Sequence, residues 1–108
     1  MSLKSQRKGR RAELELVEVL RSFGIEGVMP GDAVSYGSTP DIVGLTGVHV
    51  ECKRSEQLRL SEWMEQAERD AARFGDGVPI VFHRRSREPW RITMKLTDFM
   101  YFYLRAEK

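Results

Sequence analysis

Apolar positions in this chain change their spacing several times, and each change marks a new element. Over "AELELVEVLRSFG", Leu16, Val17, Leu20 and Phe23 fall at helical spacing and the run stops at Gly24. A first amphipathic helix is therefore predicted over roughly residues 9–23. Four short runs follow, "IEGVM", "AVSY", "DIVGL" and "VHVECK", divided by Pro30-Gly31-Asp32, Gly37-Ser38 and Thr46-Gly47. Turn-forming residues at the joints make these runs a meander of strands. Leu60, Met64, Ala67, Ala71 and Phe74 then step by four and three, which predicts a second helix ending at Gly75. "VPIVFHR" reads as a mostly apolar strand, and "WRITMK" as a half-exposed one with Trp90, Ile92 and Met94 on one face. The tail "LTDFMYFYLRAEK" predicts a last helix capped by Thr97. Its aromatic stretch "FMYFYL" suits either core or, the reading preferred here, a self-association surface, because an apolar helix at a small domain's edge needs cover.

The order helix, strands, helix, strands, helix, with no repeat or linker, predicts an α/β fold: one mixed sheet flanked by helices, a single domain over residues 1–108. A hydrophobic share of 41% suits one modest core. No apolar run approaches the ~18 residues that span a bilayer, and no apolar segment follows the N-terminal bases. A soluble protein without a signal peptide or membrane partner is expected. The single cysteine, Cys52, excludes an internal disulfide, and no His/Cys spacing suits zinc, so a cytoplasmic location is expected.

Charge alters the picture through its placement, since the net charge is only +2. Residues 1–12 form a basic N-terminal arm holding Lys4, Arg7, Lys8, Arg10 and Arg11 and no acid, while Arg84, Arg85, Arg87, Arg91 and Lys95 have only Glu88 among them. Such an arm alone would serve equally as a solubilising segment. Two separated basic stretches, however, suit a polyanion. Arg7, Lys8, Arg10 and Arg11, with Arg84 and Arg85 if they share the groove, are expected to contact backbone phosphates.

Three acids stand where apolar side chains belong. In "VHVECK" the period of two sets His49, Glu51 and Lys53 on one face and Val48, Val50 and Cys52 on the other. A bare Glu-x-Lys is most often a surface ion pair worth ~0–1 kcal/mol. Asp41 opens the preceding strand, and a turn at Thr46-Gly47 would set Asp41 opposite Glu51. Two such carboxylates repel, so they need a proton or a cation. Carboxylates, the Cys52 carbonyl and water are hard oxygen ligands that suit Mg²⁺, with Mn²⁺ as a substitute. Glu13 lies on the apolar face of the first helix, in a first turn where an acid also complements the helix dipole. Glu15 and Glu18 read as solvated surface. His49 and His83 have no partner at a useful spacing and are set aside, and Gln66 fits a surface residue as well as a substrate contact.

The helix carrying Glu13, "TPD" at 39–41 and "ECK" at 51–53 together resemble the PD-(D/E)XK nuclease superfamily, with Glu13, Asp41, Glu51 and Lys53 on its four signature positions. "RKGRRAELELVEVLRSFG", the Gly-Ser loop before Pro40-Asp41 and "ARFGDGVPIVFHRR...PWRI" are similar to archaeal-type Holliday junction resolvases and their phage relatives, over about Arg7 to Ile92. The resemblance implies a restriction-endonuclease-like mixed β-sheet, Mg²⁺-dependent hydrolysis of DNA phosphodiesters, a homodimer cutting two strands, and a place in DNA recombination and repair. Ser38, in the Gly-Ser loop, joins the expected nucleic-acid contacts. The segment "GDAVSY" and the tail from Leu96 depart from the pattern.

On this reading Asp41, Glu51 and the Cys52 carbonyl hold the metal, Glu13 assists through a water or second ion, and Lys53 orients the attacking water or meets developing charge. The expected substrate is DNA, most readily branched DNA, and not a small molecule. Two alternatives stay open: a general or nicking nuclease, and a basic nucleic-acid-binding module without chemistry. In the second, the three acids would only weaken phosphate binding.

Overall fold

The computed structural model describes residues 3–34 and 38–107, with side chains from residue 9 onward. Helix α1 (Leu3–Ser22) leads to β1 (Met29–Pro30), a 3-10 turn (Gly31–Ala33), β2 (Ile42–Val43) and β3 (Val48–Arg54). Helix α2 (Leu60–Phe74), β4 (Val78–Arg84), β5 (Arg91–Thr93) and α3 (Leu96–Ala106) complete the chain. The five strands form one sheet in the order β1-β2-β3-β4-β5. Only β3 and β4 run parallel, joined by α2, and the other neighbours are antiparallel. This is the expected mixed sheet flanked by helices.

Each sheet face is sealed by its own helix. On one face Leu16, Val17 and Leu20 of α1 meet Val28, Ile42, Val50, Ile80 and Phe82, all buried. On the other, Trp63 and Ala67 of α2 cover Val81. The inward stripe of α2 is Trp63, Ala67 and Ala71, whereas Leu60, placed on that stripe by spacing, lies at the exposed helix start. The alternation along β3 therefore sorts Val50 to the α1 core and His49 and Glu51 to the α2 side, where both are buried.

Several predicted elements differ. Helix α1 begins at Leu3, not near residue 9, because "LKSQRK" consists mainly of acceptable helix formers and a single Gly9 costs only ~1 kcal/mol. The basic arm is therefore largely helical backbone. The side chains of Arg7 and Lys8 lie outside the described residues. "AVSY" is no strand: Ala33 closes the 3-10 turn and Val34 follows as a turn, while Ser35 and Tyr36 lie outside the described residues. Pro30 ends its two-residue edge strand, as expected of a residue that cannot donate to a ladder. Gly31 then passes so near Pro40 that a Cβ would meet the Pro40 carbonyl. Helix α3 starts from extended Lys95 with no side-chain cap, so Thr97 does not cap it. Ile92 is 54% exposed, and from that face only Trp90 and Met94 reach the core.

The loop Gly75-Asp76-Gly77 closes the βαβ unit tightly. Gly75 takes the left-handed φ of 62° that ends α2, and Gly77 adopts φ 139° with the Gly47 backbone where a Cβ would stand. Gly77→Ala is expected to lower the unfolding free energy obtained from urea titration by more than the ~1–3 kcal/mol of backbone strain alone, since the Gly47 main chain must also move. A variant as stable as the parent would contradict that close approach.

Candidate active site

The pairing Ile42↔Val50 continues one step outward to set Asp41 across from Glu51. Asp41 lies beyond the end of β2, so it meets β3 through its side chain: the Cys52 backbone N–H donates to Asp41 Oδ2 at 2.8 Å. In an extended strand a residue's N–H and C=O point the same way, so the Cys52 carbonyl faces the Asp41 side too, beyond the first residue of β2. The Cys52 thiol packs against the core, and burial pushes its pKa up, so it stays protonated.

Glu51 is 4% exposed, an unusual position for a carboxylate. His49 Nε2 lies 3.2 Å from its Oε1 and Lys53 Nζ 3.9 Å from its Oε2. Lys53 also donates to Gln66 Oε1 at 2.8 Å, so α2 orients the lysine and Gln66 is part of the site. Glu13 reaches the same region from α1, since the charges of Asp41 and Glu51 both act on it.

Burial and mutual repulsion dominate the electrostatics. Burial, then the Glu51 charge, raise Asp41 from 3.8 to about 6, against the Cys52 N–H and Lys53, which lower it. Burial, then the charges of Asp41 and Asp32, raise Glu13 from 4.5 to about 7. Carboxylates held in this way take up a proton or a cation. The oxygens and the Cys52 carbonyl are a hard donor set that fits Mg²⁺ or Mn²⁺.

Sequence reasoning missed two partnerships. His49, set aside for want of a partner, is 1% exposed and lies between carboxylates. Its Nδ1 is 2.9 and 3.0 Å from the two oxygens of Asp76, and the ring stacks on Phe74. Burial alone would lower the His49 pKa, but its bonds to Glu51 and Asp76 outweigh this and raise it. Among the described residues, the set of three whose ligating atoms all lie within 4.8 Å is His49, Glu51 and Asp70, not Glu13, Asp41 and Glu51. Glu15, read as solvated surface, accepts from Trp90 Nε1 at 3.0 Å and has Arg84 Nε 2.8 Å from its Oε1. A buried apolar face on α1 and the glutamate four residues before Val19 gave no hint of either contact. The partners of Glu15 stand 69 and 75 residues away.

The basic residues divide. Arg84 is engaged by Glu15 and by the Glu88 carbonyl, and so braces β4 against α1. Arg10 pairs with Asp32, and Arg85 lies 3.5 Å from Glu88. Arg11 is exposed and joins Arg54 and Arg84 around a cavity of about 260 Å³. Ser38 is exposed three residues before Asp41. Among the described residues no helix is long and apolar enough to cross a membrane.

A mixed sheet that brings a helix glutamate, a strand-end aspartate and a Glu-x-Lys strand to one place defines a nuclease of the PD-(D/E)XK class. Residues 4–108 match the family described as "Phage putative PDDEXK endonuclease", and the chain belongs to that family. Among solved structures it is similar to Hjc of Archaeoglobus fulgidus, a Holliday junction resolvase from an archaeal hyperthermophile. The two share 29% identity with a TM-score of 0.51, over 78% of this chain and 73% of that one. No curated protein matches the chain.

Proposed function

We propose that this protein is a Mg²⁺-dependent endodeoxyribonuclease that cuts branched DNA, with Mn²⁺ able to substitute. The observation that supports the reading is Asp41, one step beyond the Ile42–Val50 pair, accepting from the Cys52 N–H at 2.8 Å while Lys53 lies 3.9 Å from Glu51 on the same strand. Its likeness to a Holliday junction resolvase supports the choice of substrate.

Asp41, Glu51 and the Cys52 carbonyl would hold the cation, with Glu13 reaching it through a water or a second ion. When bound, the cation polarises the phosphate and lowers the pKa of a bound water. Lys53, steadied by Gln66, orients the attacking water or meets the charge that grows on the phosphate. Arg11, with Arg7, Lys8 and Ser38, would grip backbone phosphates without reading sequence. Arg10, Arg84 and Arg85 already have acidic partners and contribute only if DNA displaces them.

A homodimer would present two such sites to two strands. The exposed apolar residues of α3, among them Leu96, Phe99, Tyr103 and Leu104, support self-association.

The test is cleavage of a labelled four-way junction beside a linear duplex and a single strand of the same sequence, with wild type and Glu51→Ala in Mg²⁺ and Mn²⁺. Symmetric cuts in the junction alone, absent from the variant, support the proposal. Equal cutting of all three makes it a general nuclease. Binding without cutting in either metal leaves only a binding module.

The raised carboxylates also set a pH dependence. Glu13 at about 7 and Asp41 at about 6 must lose their protons to face a cation. The cleavage rate should therefore climb between roughly pH 5 and 8 and level off above. Protons and Mg²⁺ compete for the same oxygens, so tenfold more Mg²⁺ should move the climb to lower pH. Rate profiles at two Mg²⁺ concentrations that superimpose would contradict this.

A further inference from the structure

We propose that His49, held by Asp76, is a positioning residue that fixes the Glu51 carboxylate for the cation. The inference rests on the reading of Glu51 as a metal ligand.

Both ring nitrogens of His49 face carboxylates: Nδ1 the two oxygens of Asp76 at 2.9 and 3.0 Å, and Nε2 the Oε1 of Glu51 at 3.2 Å. Each ring nitrogen is thus within hydrogen-bond reach of a carboxylate, and the ring bridges Asp76 and Glu51. Both of its nitrogens are taken up by these contacts. Although the ligating atoms of His49, Glu51 and Asp70 lie close together, the ring holds Glu51 rather than joining it as a ligand.

Glu51 needs such a partner. A buried carboxylate is costly unless it is paired and hydrogen-bonded, and Lys53 stands 3.9 Å off, outside hydrogen-bond range. His49 fills the need at Oε1 and leaves Oε2 for Lys53 and a cation. The ring itself is enclosed, being 1% exposed and stacked on Phe74. The loop that carries Asp76 is itself held against the backbone at Gly47. Gly77 lies against Gly47, and the Val78 N–H donates to the Gly47 carbonyl at 2.9 Å. The support thus runs from the α2–β4 loop, through the His49 ring, to Glu51. Groups that orient a metal ligand in this way typically change metal affinity by ~10–100-fold when removed.

The test compares Asp76→Asn, His49→Gln and Glu51→Gln in the full chain. Mn²⁺ affinity and stoichiometry come from calorimetry, single-turnover cleavage is followed across Mn²⁺ concentrations, and folding is checked by circular dichroism and thermal melting. For Asp76→Asn we expect a folded protein that binds Mn²⁺ ~10-fold more weakly and regains most of its cleavage rate at saturating Mn²⁺. His49→Gln should lose more affinity, and Asp76→Glu should restore part of it. A general structural defect would not be cured by added metal. Unchanged Mn²⁺ affinity in folded Asp76→Asn and His49→Gln, while Glu51→Gln loses binding, overturns this inference alone. Unchanged binding in Glu51→Gln overturns the metal-site reading beneath it. Two Mn²⁺ per wild-type chain falling to one in His49→Gln, with the remaining affinity intact, also overturns it, by making His49 a ligand.

Discussion

Asp41→Asn is expected to reduce Mg²⁺-dependent cleavage by more than ~10³-fold, the upper scale for one lost transition-state contact, and to stabilise the metal-free fold. The two effects share one cause. Burial and the Glu51 charge raise the Asp41 pKa from 3.8 to about 6, so between those values the folded chain keeps a proton that the unfolded chain has released. Stability therefore falls as pH rises through that window and stays lower above it. At ~1.4 kcal/mol per unit, the cost above pH 6 is of order 2–3 kcal/mol. Asparagine never ionises, and its carbonyl oxygen can still accept from the Cys52 N–H. Urea unfolding of both proteins in chelator should show the variant's advantage at pH 8, shrinking toward pH 4. A variant that is less stable at both pH values would count against a charge held out of water at Asp41.

Lys53→Met is expected to lower the single-turnover rate by ~10²–10³-fold while DNA affinity, measured with Ca²⁺ in place of Mg²⁺, changes by no more than about threefold. Lys53 is partly buried, directed by Gln66 at 2.8 Å and set 3.9 Å from Glu51. A single ammonium so placed adds little to an extended phosphate grip, and its charge matters most where negative charge grows during reaction. Gln66→Ala should show a weaker form of the same loss, because it frees the lysine without removing it. Equal losses in affinity and rate would instead make Lys53 an ordinary phosphate contact.

The site was legible where chemistry conflicted with local pattern. Glu51 and Lys53 stood on one face of a strand, and Asp41 stood at the head of the strand before it; the β2–β3 register sets Asp41 and Glu51 opposite each other. Helix α2 was legible to its last residue, because the left-handed turn after Phe74 needs a glycine. The short strands were not, because Pro30 and Gly44 interrupt pairing that a simple apolar run suggests. His49 escaped notice for a different reason. Asp76 is 27 residues away, and only the parallel pairing of β3 with β4 brings its loop beneath the histidine. Arg84 likewise looked like a free cation until α1 brought Glu15 to it.

The parallel β3–β4 pair and the helix between them form one stretch of chain, residues 48–84, that contains Glu51, Lys53, Gln66, His49 and Asp76. Asp41 and Glu13 come from outside it. The β3–β4 ladder runs over seven residue pairs, whereas β2 meets β3 at one pair and β1 meets β2 at two. Hydrogen exchange should accordingly be slowest in β3 and β4 and faster in β1 and β2, strands of two residues each. A partly folded chain would then carry the lysine and its supports but lack two of the three acids. Cleavage competence would arise only at the final step of folding, so an unfinished molecule would be harmless to DNA.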